Sequence, residues 1–265
     1  MSQTNVAALA GTYSQQCFYS KKLQQDWSFG LYLPPQDSAS DTRPTSILYV
    51  LHGAKDAFPA YTCHTNLLDE LEVRREEGTM PPTCVVFVDG FNSYYIDSPG
   101  QPVESAFFDE LMPLVEEGLD VDRRHRALIG NSMGGYASLR YVLKYNDLFS
   151  FAMLLSPAIW PSVNDMNYPF HAFDAPEGRE ARWLALHPMK LLENLGEGGL
   201  AKTGLFVASG KADPTVPVEM VSDAVQILEK YVRVDFSTGS FGLHNWDFWS
   251  SCIGDALDAW SRWLR

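Results

Sequence analysis

Apolar positions along the chain fall into two alternating spacings. Short continuous runs at 46–51, 83–88, 127–129, 151–155, 204–208 and 232–236 have strand length and predict buried strands. Between them lie longer stretches with apolar residues on one helical face. These are 61–77, carrying Leu67, Leu68 and Leu71, then 102–117, a helix opening at Met133, 217–231, and a C-terminal helix over 246–264. The helix at Met133 offers Ala137, Leu139, Tyr141, Val142 and Leu143 as its apolar face. Two further strand-like segments, 12–20 and 27–33, come first, and Gln24-Gln25-Asp26 between them predicts an antiparallel hairpin turn.

Strands that alternate with helices predict an α/β fold with a mostly parallel sheet, helices on both faces and the N-terminal hairpin as an antiparallel edge. The polar run 36–45 reads as a solvent loop, so residues 1–265 are expected to form a single domain. One aromatic-rich excursion, about 160–203, holds Trp160, Tyr168, Phe170, Phe173 and Trp183. It is expected to serve as a partial lid or wall, or as ordinary core.

Charge narrows the partners. With 20 basic and 33 acidic residues the net charge is -13, which repels nucleic-acid phosphates and anionic lipid surfaces. No nucleic-acid or membrane partner is expected, and no apolar run reaches spanning length. The N-terminal residues show neither a basic start nor a long apolar core, which predicts a cytoplasmic protein. Cys17, Cys63, Cys84 and Cys252 match no metal-ligand spacing, and they read as small hydrophobes in a reducing compartment. A homo-oligomer stays open.

The chemistry gathers where strands end. Gly130-Asn131-Ser132-Met133-Gly134 follows an apolar run and opens a helix, so Ser132 is expected in a strained bend with its hydroxyl exposed. A serine hydroxyl needs a base to accept its proton and a carboxylate to orient that base. His244, in a glycine-containing loop before the last helix, is the candidate base. Asp213, in Gly210-Lys211-Ala212-Asp213-Pro214, is the candidate acid, with Glu219 its nearest competitor. The order Ser132, Asp213, His244 is that of α/β-hydrolase sites. Backbone N–H groups of Ala54 and Met133 are the candidate oxyanion donors, with His52 orienting the loop. No metal or cofactor is required by this chemistry.

Residues spread over most of the chain carry a resemblance. They are Tyr32-Leu33-Pro34-Pro35, Leu51-His52-Gly53, Asn92-Ser93-Tyr94-Tyr95, Asp109-Glu110-Leu111, Gly130 to Tyr136 with Asp147-Leu148-Phe149, and Gly242 to Trp249. The chain resembles the esterase group that includes esterase D, short-chain tributyrin esterases, feruloyl and acetyl-xylan esterases, and the mycolyltransferases. The resemblance implies an α/β-hydrolase fold and cofactor-free hydrolysis of carboxylic esters. It places the triad on Ser132, Asp213 and His244 and the oxyanion donors on Ala54 and Met133. Tyr94, Tyr95, Trp160 and Trp246 are the candidate substrate contacts. Leu243-His244-Asn245-Trp246 departs from the Asp-His-Ser-Tyr-Tyr segment of S-formylglutathione hydrolases and sits better with the tributyrin and feruloyl branch. The expected activity is a serine carboxylesterase acting on small-acyl esters such as acetyl or feruloyl esters of sugars. An acyltransferase using the same triad, or a non-catalytic binding module, are the alternatives.

Overall fold

The computed structural model describes residues 11–35, 45–119, 121, 123–165, 170–195, 200–239 and 241–265. The loop expected over 36–45 lies almost wholly outside the described residues, as does Tyr168 of the excursion. Eight strands form one sheet. We number them β1 (Thr12–Ser20), β2 (Gln25–Leu33), β3 (Ser46–Leu51), β4 (Thr83–Val88), β5 (Arg126–Asn131), β6 (Phe151–Leu155), β7 (Gly204–Gly210) and β8 (Arg233–Gly239). Their order in the sheet is β1-β2-β4-β3-β5-β6-β7-β8. β1 pairs antiparallel with β2, and β2 antiparallel with β4, while every pairing from β4 to β8 is parallel.

Strands β3, β4, β6 and β7 are buried along their whole length. That explains their unbroken apolar runs, because helices cover both faces. Side chains alternate between two cores. Ile47, Tyr49 and Leu51 face the one that includes helix α2 (Met133–Lys144). Leu48 and Val50 face the one that includes α1 (Leu67–Glu76), α4 (Trp246–Ser251) and α5 (Ile253–Leu264). A helix α3 (Val218–Leu228) packs on β7 and β8. The parallel strands therefore end together on one rim, where loops from β3, β5, β7 and β8 meet.

Several helices are shorter than their periodicity suggested. The stretch 61–77 divides into Ala60–His64 and α1 because Thr65 turns extended. Its Oγ1 donates to Tyr61 O and accepts Leu67 N–H, substituting for the helical bonds it breaks. The stretch 102–117 changes to a π-helical turn over Phe107–Leu111 before resuming at Met112–Glu116, where Pro113 lacks the N–H an α-helix would use. The C-terminal helix divides at Cys252 into α4 and α5. In the hairpin, the turn ends at Gln24 in left-handed conformation, φ 55°, so β2 starts at Gln25 rather than Trp27.

Helix α2 was expected to bury one face, yet every residue from Met133 to Leu143 is buried. Even Arg140 lies inside, where its guanidinium meets Glu104 at 2.9 Å, and Lys144 and Tyr145 add bonds to the same carboxylate oxygen. Burial pushes against ionisation of Glu104, but these partners hold its carboxyl below the usual glutamate range. All four cysteines are free, and Cys17 and Cys63 are exposed rather than packed as small hydrophobes. Among the described residues, no helix is long and apolar enough to cross a membrane.

Candidate active site

Ser132 occupies the turn between β5 and α2 with φ 50° and ψ -114°, a left-handed conformation that side-chain-bearing residues rarely hold. Its neighbours leave no room for side chains. A Cβ on Gly130 would stand 2.3 Å from the Gly134 carbonyl carbon, and one on Gly134 would stand 1.9 Å from Leu51 O. The bend is fastened by Ser132 N–H donating to Leu155 O at 2.9 Å. Ser132 O in turn accepts from Tyr136 N–H and Ala158 N–H, each at 3.0 Å.

Two other loops bring the partners. His244 Nε2 lies 2.9 Å from Ser132 Oγ, and His244 Nδ1 lies 2.8 Å from Asp213 Oδ2. The second oxygen, Asp213 Oδ1, accepts Thr215 N–H and Val216 N–H at 2.8 Å each. Burial works against the charge on Asp213. The bonds from His244 and the two backbone amides outweigh it and hold the carboxyl below the usual aspartate range. An ionised Asp213 can only accept, so Nδ1 carries the proton and Nε2 offers its lone pair to the serine hydroxyl. The acid and histidine loops touch through glycines. A Cβ on Gly210 would meet Gly242 O at 2.1 Å, and Ala212 N–H donates to that carbonyl at 3.1 Å.

The opposite wall is shaped by backbone. His52 is buried, with Nδ1 donating to Gly53 O at 2.7 Å and Nε2 accepting Gly90 N–H at 3.0 Å. Lys55 is left-handed at φ 68°, and its N–H donates to Asn92 Oδ1 at 2.7 Å. Ala54 is held between these two fixed points. Met133 is the first residue of α2, whose leading N–H groups have no partner inside the helix. A cavity of about 460 Å³ opens between the walls, lined by Ala54, Ser132 and His244 together with aromatic side chains. Its size suits a small organic ligand.

The Esterase family model, described as "Putative esterase", matches residues 20–258. The chain belongs to this family. It is an ester-hydrolysing enzyme with an α/β-hydrolase fold, which removes the non-catalytic binding module from consideration. An acetyl esterase of Caldicellulosiruptor saccharolyticus is 26% identical over 271 residues, covering 92% of this chain and 96% of the relative. Among solved structures, a ferulic acid esterase superposes with TM-score 0.81 at 22% identity, covering 96% of this chain and 99% of its own. FphF, a fluorophosphonate-binding serine hydrolase of Staphylococcus aureus, does so with TM-score 0.75 at 20% identity and the same coverage.

Of the candidate substrate contacts in this esterase, Tyr94, Trp160 and Trp246 line the cavity and Tyr95 does not. Tyr95 is fully buried, and its ring fills the space over Gly90, where a Cβ would come within 2.2 Å of it. Its hydroxyl reaches Val88 O at 3.3 Å and His52 O at 3.5 Å. Tyr94 and Tyr95 are both left-handed, φ 55° and 53°, so the turn sends one ring to the cavity and the other beneath the His52 loop. Tyr95 is therefore packed beneath the His52 loop and does not reach the cavity.

The aromatic excursion also divides. Trp160 and Phe170 face the cavity, while Phe173 and Trp183 are buried against Tyr94 and Tyr136. Trp249 and Asp56, neither of them among the candidate contacts, also line the cavity. Helical spacing from Trp246 could have found Trp249. Nothing local marks Asp56.

The remaining histidines serve elsewhere. His125 bonds Thr45 O, His171 pairs with Asp174, and His187 donates to Trp160 O and accepts Met189 N–H. His64 stacks on Trp246 at 5.1 Å. Glu219 is an exposed residue in the first turn of α3, while Asp213 occupies the bond to His244.

Proposed function

We propose that the esterase is a serine carboxylesterase that hydrolyses short-acyl esters through an acyl-enzyme on Ser132. The observation carrying this reading is the imidazole of His244, bonded to Ser132 Oγ at 2.9 Å and to Asp213 Oδ2 at 2.8 Å. His244 Nε2 takes the serine proton as Oγ attacks the ester carbonyl, and the carbonyl π electrons move onto oxygen. The oxyanion is received by the N–H groups of Ala54 and Met133, a contribution of about 10²–10³ in turnover per donor. Collapse breaks the bond to the alcohol, which leaves with the proton from His244. Water then attacks the acyl-enzyme by the same route, giving the free acid and restoring Ser132. Asp213 keeps the tautomer and supports the imidazolium without itself taking the proton.

A cavity of about 460 Å³ walled by aromatic rings accommodates an acetyl to butyryl group or a single aromatic acid. Acetyl and feruloyl esters of sugars are the substrate classes this reading favours, in keeping with the acetyl esterase and ferulic acid esterase among the similar proteins. A fluorophosphonate should label the native protein once, at Ser132, and p-nitrophenyl acetate to butyrate should turn over faster than the palmitate. Labelling that persists in Ser132→Ala would remove Ser132 as nucleophile, and faster palmitate cleavage would remove the short-acyl preference.

A further inference from the structure

We propose that Trp249 is the positioning residue of His244, a stop against one side of its imidazole that is tied by Ser156 to the backbone beside the nucleophile. This rests on reading His244 as the general base. A ring held only at its two nitrogens can still tilt about the line joining them. During turnover Nε2 must also leave Ser132 Oγ for the departing alcohol, so one of those two restraints is lost at the moment orientation matters most.

The third restraint is in place. The Trp249 ring stands 5.0 Å from the His244 ring at 85°, an edge-to-face contact, with Trp249 only 5% exposed. Its Nε1–H donates to Ser156 Oγ at 3.2 Å in a fully buried bond. Ser156 is itself left-handed, φ 44°, and its N–H donates to Ala208 O at 2.8 Å. The preceding carbonyl, Leu155 O, accepts Ser132 N–H. Base and nucleophile are thus referred to the same two residues at the end of β6. Trp246 packs edge-to-face on Trp249 at 5.1 Å and 89°, and Trp246 is itself in contact with His64 and Tyr61 at 5.1 Å each, so the indole is braced by a further layer of rings.

Trp249 also lines the cavity, so the test must separate a stop from a wall. The probe is diisopropyl fluorophosphate, which is small and reports Ser132 activation through its rate of labelling. Trp249→Leu should slow labelling about 10²-fold, the effect of a reacting group misplaced by an ångström. In the same variant the low-field Nδ1 proton resonance of His244 should broaden. Trp249→Phe keeps a ring but loses the donor to Ser156, and Ser156→Ala loses the acceptor, so each should slow labelling about fivefold. The double variant should be no slower than the slower single, because both changes remove one bond.

Unchanged labelling in Trp249→Leu, additive losses in the double variant, or effects confined to KM for bulky esters would each overturn the proposal. If Trp249→Leu does not fold, the Phe and Ala cycle decides alone. Failure of Ser132→Ala to abolish labelling is a separate outcome that sinks the reading of the triad instead.

Discussion

The two walls of the candidate cleft are built in different ways. On the side of the proposed acid and base, Asp213 and His244 are joined by a charge-assisted bond between side chains, and the carboxylate is fixed by two backbone amides. On the other side, Ala54 offers backbone, and its posture comes from a left-handed Lys55, a buried His52 and the 90–96 turn beneath it. The first wall can be unmade by changing one functional group. The second is distributed, so single changes should damage it less and never abolish it.

The sharpest way to break this contrast is Asp213→Asn, which keeps the shape and removes the charge. It frees the imidazole to take the wrong tautomer, and turnover should fall about 10⁴-fold with little change in KM. Glu219→Gln, offered as a control on the rival carboxylate, should leave steady-state kinetics at the parent values. The reverse pattern would move the acid to Glu219 and leave the geometry of Asp213 without a purpose.

A smaller loss is expected on the backbone wall. His52→Leu removes the acceptor of Gly90 N–H and the donor to Gly53 O. Turnover should fall about 10²-fold, up to the effect of losing one oxyanion donor, with KM nearly unchanged. His52→Gln can still accept from Gly90 and should recover part of it. Equal losses in the His52→Leu and Asp213→Asn variants would show that the walls are not built differently.

The smallest effect on chemistry should come from the far end of α2, where charge again does the holding. Glu104→Gln leaves Arg140 buried without its counter-charge, which should cost about 3 kcal/mol of stability measured by denaturant unfolding. The folded carboxyl of Glu104 is held below its ordinary range. Its contribution is therefore complete above the unfolded glutamate pKa and is lost as pH falls through the lower folded value. Asp213 has the same sign. Parent stability should decline on the acid side, and that decline should be shallower in Glu104→Gln. An identical acid limb in the two proteins would remove Glu104 from the account.

The order of chemistry along the chain was legible because it is local. Gly130 and Gly134 flank Ser132 in a pattern that requires a strand behind and a helix ahead, and Asp213 and His244 each follow an apolar run of strand length. Breaks in helices were less legible. Thr65 and the π turn before Pro113 alter hydrogen bonding without disturbing the apolar spacing that periodicity detects. Tyr94 and Tyr95 show the limit most plainly: adjacent residues of the same type point to a cavity and to a core, a choice made by two left-handed backbone angles.

By itself, then, the sequence determined the alternation of strands and helices, the strained serine between glycines and the sequential order of serine, acid and histidine. Each follows from residue type and spacing within a few positions. Tertiary structure alone decided that His244 meets a serine 112 positions away, that Tyr95 braces while Tyr94 faces the cavity, and that Trp249 reaches Ser156 93 positions off. Those contacts exist because parallel strands end on a common rim, and only the paired register of the sheet sets which side chains meet there.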